Sequence, residues 1–256
     1  MKPNRIRELL TAGKIPVGHM IMEFSTRGIA KIVEGAGVDF VLIDMEHSSF
    51  GIGAVNDLLA WFKATPVTPI VRVPAHDYHF IARIMDAGAA GIMAPNVRTP
   101  EEARAIAGAM RFAPGGVRGL GLGASHNDYL PPDPVAYMRE ANQNNVMIAQ
   151  IESTTALENL DAIAATPGID VLWVGHFDLT QSMGIVGQFD HPDFVKAISA
   201  VVAACKRHGK AAGIQPGNLD QARAWMPLGY NVISFSADHG VYRSALRSAV
   251  DQVRKI

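Results

Sequence analysis

This sequence has one cysteine, almost no net charge and no long apolar run, and each of these features excludes a class of protein. Its 256 residues include one cysteine, Cys205, which cannot form an intramolecular disulfide and is typical of a reducing compartment. The 23 lysines and arginines nearly balance the 24 aspartates and glutamates, so bulk charge predicts neither nucleic-acid nor membrane binding. No apolar run approaches the ~20 residues that cross a bilayer, and the charged first segment, MKPNRIRELLTAGKIPVG, is unlike a secretory signal. We therefore expect a cytoplasmic protein.

Short apolar runs rich in β-formers alternate with longer amphipathic segments along the chain. Because these runs are apolar on both faces, they predict parallel strands covered by helices. The candidate strands are 17–22, 40–45, 68–73, 90–95, 146–151, 171–176, 211–216 and 231–236. Eight strand–helix units predict an α/β protein, a (β/α)8 TIM barrel in one domain over residues 1–256. A doubly wound open sheet is the alternative, although no GxGxxG follows the first strand.

Helical patterns fill the spaces between the strands, and a further helix is expected before the first strand. Thr99 and Pro100 begin one helix with a cap and a first-turn proline, and 191–208 predicts a long helix that ends at Gly209. The spacing is even except at 112–145, a glycine-rich insert between strands four and five that contains a helical piece at about 133–143. Such an insert typically borders a site or an interface.

Polar residues follow the apolar runs where the strands end. In a (β/α)8 barrel the chemistry occurs at these C-terminal strand ends. Charged groups that emerge from apolar strands need a partner or a function. The residues are Glu23, Asp44, Glu46, His47, Arg72, Asn96, Gln150, Glu152, His176, Asp178, Gln215, Asp238 and His239. The sequence therefore predicts a functional site at this rim.

Two carboxylates, Glu152 and Asp178, follow neighbouring strands five and six. Adjacent strands lie about 4.8 Å apart, so the two side chains can share one divalent cation. With few protein ligands, the cation keeps positions open for water and substrate, as in a catalytic metal site. The alternative is that one acid caps the next helix and the other pairs with Arg72.

Asp44, His47 and Arg72 are candidates for acid–base and charge-stabilising roles. Asp44 and His47 lie three residues apart, so Asp44 can hold one ring nitrogen and leave the other as a base. The alternative is that both cap a loop. Arg72 suits a carboxylate or a developing oxyanion, or else a salt bridge to Glu46 or Asp44.

Lysine is missing from the predicted rim. The eight lysines lie on helices, at helix ends, near the termini or at the opposite end of a strand, so none is placed to form a Schiff base. Carbonyl activation should then come from a metal ion. A metal-bound keto acid, an arginine that shares its negative charge and a nearby base together provide routes to an enolate. This is the chemistry of a metal-dependent aldolase.

Six segments of the chain resemble the HpcH/HpaI aldolases, class II pyruvate aldolases related to the citrate lyase β-subunit. The resemblance covers nearly the whole chain. The segments are GVDFVLIDMEHSSF, IVRVP, GIMAPNVRTPEEA, RFAPGGVRGLG, MIAQIESTTALENLDAI and DVLWVGHFDLTQSMG. It implies reversible cleavage of 4-hydroxy-2-oxo acids into pyruvate or hydroxypyruvate and a small aldehyde. It also implies a divalent ion, Mg²⁺ or Mn²⁺ with Co²⁺, Ni²⁺ or Zn²⁺ as alternatives, and a homohexamer built as a trimer of dimers, with the last helix (about 240–254) packed on a neighbour.

The resemblance also implies roles for individual residues. The metal ligands would be Glu152 and Asp178. The base would be His47, paired with Asp44. The keto or enolate oxygen would contact Arg72. The keto-acid pocket would be bordered by Gln150 and by the backbone amides of Phe177 and Asp178. Apart from the resemblance, we expect the acceptor side to be lined by Met20, Phe24, Ser125 and Gln215. An acyl-CoA lyase of the citrate lyase type and a non-catalytic barrel that binds metal and keto acid are the competing functions.

Two positions depart from the family pattern. The family commonly has Gly-Pro-Ala-Asp at strand six, where this chain has Gly175-His176-Phe177-Asp178. Phe177 keeps a backbone amide, but its bulk is expected to reshape the keto-acid pocket. His176 either adds a polar contact or points outward. The family often has glycine where this chain has Met45. These changes bear on the choice between pyruvate and hydroxypyruvate.

Overall fold

Eight parallel strands close into a barrel in the order of the sequence, with the last strand paired to the first. The computed structural model describes residues 1–256. The strands are β1 (Val17–Ile21), β2 (Phe40–Asp44), β3 (Thr68–Arg72), β4 (Gly91–Ala94), β5 (Val146–Ile151), β6 (Val171–Val174), β7 (Ala211–Ile214) and β8 (Val232–Ala237). The predicted (β/α)8 barrel is confirmed. Strand six is shorter than predicted because a helix begins at His176.

Helices cover the outside of the barrel. They are α1 (Arg5–Thr11), α2 (Ile29–Gly35), α3 (Ile52–Phe62), α4 (Tyr78–Ala87), α5 (Pro100–Met110), α6 (Pro134–Asn144), α7 (Thr154–Glu158), α8 (Leu160–Ala165), α9 (His176–Ser182), α10 (Pro192–His208), α11 (Leu219–Trp225) and α12 (Asp238–Val253). The expected caps are present, since Thr99 forms a capping box with Glu102 and Gly209 ends α10 in the left-handed region. No helix is long and apolar enough to cross a membrane.

Two apolar layers hold the barrel together. The larger core lies between the strands and the surrounding helices. The smaller core fills the barrel interior with side chains such as Phe40, Ile148 and Trp173, and Ile6 of α1 joins it. Gly213 on β7 makes room for the Trp173 ring, because a Cβ at this position would overlap the indole. The barrel is therefore a packed core, and only its rims are free to bind ligands.

The glycine-rich insert lies at the N-terminal end of the barrel. It follows helix α5 rather than strand β4, so it begins at the face opposite the C-terminal strand ends. Ser125 donates through Oγ to the carbonyl of Ala87 at the end of α4, at 3.1 Å, and its own carbonyl accepts from Lys63. The insert therefore does not border the strand-end rim of its own chain, and the other expectation, that it borders an interface, stays a prediction.

Candidate active site

A buried ion pair between β2 and β3 lies at the predicted rim. Asp44 and Arg72 end neighbouring strands in direct register. The Nε and Nη2 of Arg72 each donate to one carboxylate oxygen of Asp44 at 2.8 Å, and the two side chains are almost fully buried. Burial alone would lower the pKa of Arg72, but the Asp44 bonds and the charges of Glu46 and Glu152 raise it. Arg72 is thus a fixed, permanently charged group.

The expected pairing of Asp44 with His47 is not formed, because Asp44 binds Arg72 and accepts from the backbone N–H of Glu46 at 3.0 Å. Glu46 takes the place beside the imidazole instead. Its Oε2 lies 3.7 Å from Nε2 of His47 and 3.2 Å from Nη1 of Arg72. Burial is the main cause that raises the pKa of Glu46. The sequence predicts Glu46 at the rim and as an alternative partner of Arg72. It does not predict that Glu46 lies between Arg72 and His47, because this position depends on the β2–β3 register.

A second carboxylate, Glu152, is buried directly after β5. Its Oε1 accepts from the backbone N–H of Asn96, and its Oε2 accepts from the side-chain amide of Gln150. Asn96 has a φ of 52°, a left-handed conformation that asparagine tolerates. Burial raises the pKa of Glu152 to about 7, against the effect of the two hydrogen bonds, and the charges of Glu46 and Asp178 add to the rise. Glu46, Glu152 and Asp178 therefore form one region of negative potential.

Gly175 makes the position of Glu152 possible. A Cβ at this glycine would overlap Oε2 of Glu152 and lie 2.7 Å from Nε2 of Gln150. We expect Gly175→Ala to displace both side chains and to weaken divalent-ion binding by at least about tenfold, a loss within the range seen when the partners of metal ligands are changed. Isothermal titration with Mn²⁺ measures this. Gly108→Ala on α5 is the matched control, because no atom lies within 4 Å of its Cβ position. Equal Mn²⁺ affinity in the two variants would contradict the account.

The residues that follow β6 separate into an outer aromatic group and one rim carboxylate. The ring of His176 packs at 5.1 Å from Phe189 and 5.2 Å from Trp225. Burial lowers the pKa of His176 to about 4, so the ring is neutral at pH 7. Phe177 packs edge-on against Phe189 at 5.0 Å and is 60% exposed. His176 therefore points away from the rim, which is one of the two orientations expected for it. Asp178 lies in the exposed first turn of α9.

The structure brings most of the predicted site residues to one rim but leaves one elsewhere. The rim group comprises Asp44, Glu46, His47, Arg72, Gln150, Glu152 and Asp178. The ring of Phe177 packs on Phe189, so only its backbone amide belongs with this group. On the acceptor side, Met20, Phe24 and Gln215 belong to β1, the loop after it and the loop after β7. Ser125 is not part of this group, because it is held against α4 at the opposite end of the barrel.

The donor set at Glu152 fits a hard divalent cation. Carboxylate and amide oxygens are the ligands that Mg²⁺ and Mn²⁺ prefer. Oε1 of Gln150 is buried beside Glu152 with no hydrogen-bond partner. Burial, with a smaller effect of the neighbouring acids, raises the pKa of Glu152, so a cation here would stabilise both the amide oxygen and the ionised carboxylate. No group of three His, Cys, Asp or Glu side chains is arranged to hold a metal ion. A cation held by Glu152 and Asp178 would therefore keep positions open for other ligands.

The chain is similar to known proteins in both sequence and fold. A family model described as HpcH/HpaI aldolase/citrate lyase matches residues 20–245. A 5-keto-4-deoxy-D-glucarate aldolase of Shigella boydii is 32% identical over 253 residues, covering 99% of this chain and 97% of that protein. An HpcH/HpaI aldolase from Desulfitobacterium hafniense superposes with a TM-score of 0.93 at 28% identity, over 98% of this chain and 97% of the other. A Burkholderia cenocepacia protein of the HpcH/HpaI aldolase/citrate lyase family superposes with a TM-score of 0.91 at 33% identity, over 98% of this chain and 99% of the other.

Proposed function

Because the chain belongs to the HpcH/HpaI aldolase/citrate lyase family, we propose that it is a metal-dependent class II aldolase. It reversibly cleaves 4-hydroxy-2-oxo acids into pyruvate or hydroxypyruvate and a small aldehyde. The observation that carries this proposal is a pair of fixed, buried charges at the C-terminal strand ends. Arg72 is held by Asp44 at 2.8 Å, and Glu152 is held by Gln150 and by the backbone N–H of Asn96. Two such groups at one rim suit a site that must hold both a metal ion and an enolate.

The substrate class is supported by the name of the curated relative. A 5-keto-4-deoxyglucarate has a keto group next to a carboxylate, a methylene beside the keto carbon and a hydroxyl one carbon further, which is the 4-hydroxy-2-oxo acid pattern. Cleavage between the methylene and the hydroxyl-bearing carbon gives a pyruvate enolate and an aldehyde. In the relative's substrate the aldehyde fragment retains the second carboxylate. We expect this chain to act on the same bond but to accept a small neutral or hydroxylated aldehyde, because no second basic cluster follows the strands on the acceptor side.

Each rim residue has one task in the proposed cleavage. Glu152 and Asp178 would hold a divalent ion, which would supply Lewis-acid stabilisation of charge on the keto oxygen. Arg72, fixed by Asp44, balances the negative charge that develops on this oxygen. Gln150 and the backbone amides of Phe177 and Asp178 orient the keto acid.

His47 performs the proton transfer. The imidazole is half-exposed, and Glu46 lies beside its Nε2, so it reaches the bound substrate and has a carboxylate to balance its charge. In cleavage it takes the proton of the 4-hydroxyl, the carbon–carbon bond breaks and its electron pair forms the enolate, the aldehyde leaves, and the imidazolium returns the proton to the enolate carbon to give pyruvate. In condensation the same steps run backwards.

Chelation tests the proposed function. Wild-type protein is treated with EDTA, dialysed and assayed for cleavage and formation of 4-hydroxy-2-oxo acids, with pyruvate and hydroxypyruvate against a panel of aldehydes. We expect chelation to abolish turnover and added Mg²⁺ or Mn²⁺ to restore it, because no lysine is placed to replace the ion. Activity that survives chelation and is lost with borohydride plus substrate would contradict the proposal. Turnover of a malyl-type thioester alone would favour the acyl-CoA lyase.

His47→Ala distinguishes an enzyme from a barrel that only binds. We expect kcat to fall by about 10²- to 10⁴-fold, the usual contribution of a positioned general base. Titrations should still detect Mn²⁺ and pyruvate binding, since neither depends on the imidazole in the proposed roles. His191→Ala is the control, because His191 only caps α10. Full turnover in His47→Ala would remove the base assignment.

The oligomer implied by the family remains a proposal, and two features support it. Helix α12 buries only Asp238 against the barrel and leaves Tyr242, Leu246 and Val253 exposed. An apolar stripe on a 16-residue helix is typical of a face that packs on another chain. In addition, Ser125 lies at the end of the barrel opposite the proposed site, so any substrate that it contacts would be bound by another copy.

A further inference from the structure

Asp238 is a buried acid that the proposed chemistry does not use. It begins α12 directly after β8, and it is 4% exposed. One carboxylate oxygen, Oδ2, accepts three successive backbone N–H groups, those of Met22, Glu23 and Phe24, at 3.1, 2.9 and 2.8 Å. The other oxygen, Oδ1, accepts from the N–H of His239 at 2.8 Å. Burial opposes ionisation, yet these four bonds lower the pKa of Asp238 below its ordinary value.

The three N–H groups belong to the loop between β1 and α2. This loop lies at the same rim as the proposed site, because it follows the C-terminal end of β1. Its other tie to α12 is an edge-to-face contact between Phe24 and Tyr242 at 5.7 Å. The loop has no regular structure between Met22 and Thr26. From α12, one carboxylate and one ring therefore hold this loop, whose Phe24 side chain also packs against the larger core.

The C-terminal strand ends surround the opening of the barrel, here called the mouth. The strand order places this loop on the side of the mouth opposite the residues assigned to the keto acid. In the closed sequence of strands, β1 is four strands from β5, which carries Gln150 and Glu152. A keto acid held at β3, β5 and β6 must extend its remaining carbons over the mouth. From the strand order, we expect the side chains that it meets there to belong to β1, β7, β8 and their loops.

We infer that Asp238 is a positioning residue that fixes the Met22–Phe24 backbone as the wall that receives the aldehyde. The inference rests on the proposed function. Asp238 touches no substrate and acts through the three loop amides. When it is changed, the loop moves and the aldehyde half of the reaction is impaired, while the keto-acid half, on the other side of the mouth, is retained.

Asp238→Asn separates the two halves. Exchange of the pyruvate methyl protons in D2O with Mn²⁺ reports the keto-acid half, because it needs no aldehyde. Condensation of pyruvate with glycolaldehyde reports the complete reaction. We expect pyruvate exchange within about threefold of wild type and a KM for glycolaldehyde raised at least about tenfold, since a loop displaced by about 1 Å can cost up to 10²-fold. Amide hydrogen exchange at Met22, Glu23 and Phe24 should accelerate.

Two further variants control the experiment. Asp170→Asn removes another carboxylate that accepts a backbone N–H, that of Met147, but at the N-terminal end of the barrel, and it should change neither KM nor loop amide exchange. Tyr242→Ala leaves Asp238 intact and removes the ring that contacts Phe24, so it should raise the glycolaldehyde KM in the same direction even if Asp238→Asn does not fold. Because Tyr242 also lies on the exposed stripe of α12, KM is compared with that of Leu246→Ala, which changes the stripe without touching the Phe24 contact.

The possible outcomes separate a failure of the positioning role of Asp238 from a failure of the proposed aldolase function. An unchanged glycolaldehyde KM in Asp238→Asn and Tyr242→Ala, with wild-type pyruvate exchange, overturns the positioning role alone. Slow amide exchange that persists at Met22–Phe24 in Asp238→Asn also overturns it. Wild-type protein that exchanges no pyruvate protons and forms no product instead overturns the proposed function, whatever the loop amides show.

Discussion

Glu152→Gln should remove divalent-ion binding and reduce turnover by about a thousandfold, because Lewis-acid stabilisation is worth several kcal/mol and each ~1.4 kcal/mol is tenfold in rate. Glutamine keeps the shape of the side chain and one oxygen that can accept from Asn96. It removes a buried charge whose pKa burial has raised to about 7. The melting temperature of the metal-free protein should therefore stay close to that of wild type. Isothermal titration with Mn²⁺ and a condensation assay measure the two losses.

A matched variant separates this effect from a general loss of negative charge. Glu158 lies exposed at the end of α7, and Glu158→Gln should leave Mn²⁺ affinity and kcat as in wild type. Wild-type Mn²⁺ affinity in Glu152→Gln would contradict the metal-ligand assignment. Lost turnover with intact Mn²⁺ binding would instead give Glu152 a role in contact with the substrate.

Arg72→Met should impair both stability and catalysis. It leaves the carboxylate of Asp44 buried at 0% exposure with no cation, and removal of one partner from a buried ion pair typically costs ~3–5 kcal/mol in the free energy of unfolding. Turnover of the folded fraction should fall by about 10²- to 10³-fold, as it does when a group that stabilises an oxyanion is lost. Urea unfolding and kcat per folded molecule measure the two effects.

The partner of Arg72 supplies the control for the stability effect. In Arg72→Met/Asp44→Asn the uncompensated charge at Asp44 is gone, so part of the lost stability should return while kcat stays low. Arg111→Met breaks a partly buried pair with Asp170 at the other end of the barrel and should lower stability without lowering kcat. An Arg72→Met variant with wild-type kcat would show that Arg72 only holds the rim together.

The repeating features of the fold could be predicted from the sequence. Runs such as 146–151, apolar on both faces, predict parallel strands that are covered on both sides. In the structure every side chain of β5 is buried, as this pattern requires. Thr99 with Glu102, and Gly209 after 191–208, identify helix ends because capping is a local interaction. These features depend on residues that are close in sequence, so the sequence alone contains the information.

The choice between the possible side-chain pairings at the site could not be made from the sequence, because it depends on register and on distant segments. The ion pair of Arg72 with Asp44 and Glu46, one of the alternatives that the sequence left open, is the one that forms. Spacing favoured a contact between Asp44 and His47, but the β2–β3 register places Asp44 opposite Arg72 and turns Glu46 toward the imidazole. Nothing in the sequence around Asp238 predicts that its carboxylate accepts hydrogen bonds from the backbone of a loop 214 residues earlier in the chain. The assignment of Ser125 to the acceptor side overlooked that the insert follows a helix, which places it at the other end of the barrel.

Deuterium exchange into pyruvate tests the central claim most directly, because it detects the enolate without any assumption about the aldehyde. Wild-type protein is incubated with pyruvate in D2O and followed by proton NMR, with Mn²⁺ removed before the spectrum is recorded. We expect the methyl signal to disappear when Mn²⁺ or Mg²⁺ is present and to persist in EDTA or in Glu152→Gln. Methyl exchange that is equally fast with and without the divalent ion, or no exchange under any condition, would contradict a metal-dependent enolate at this rim.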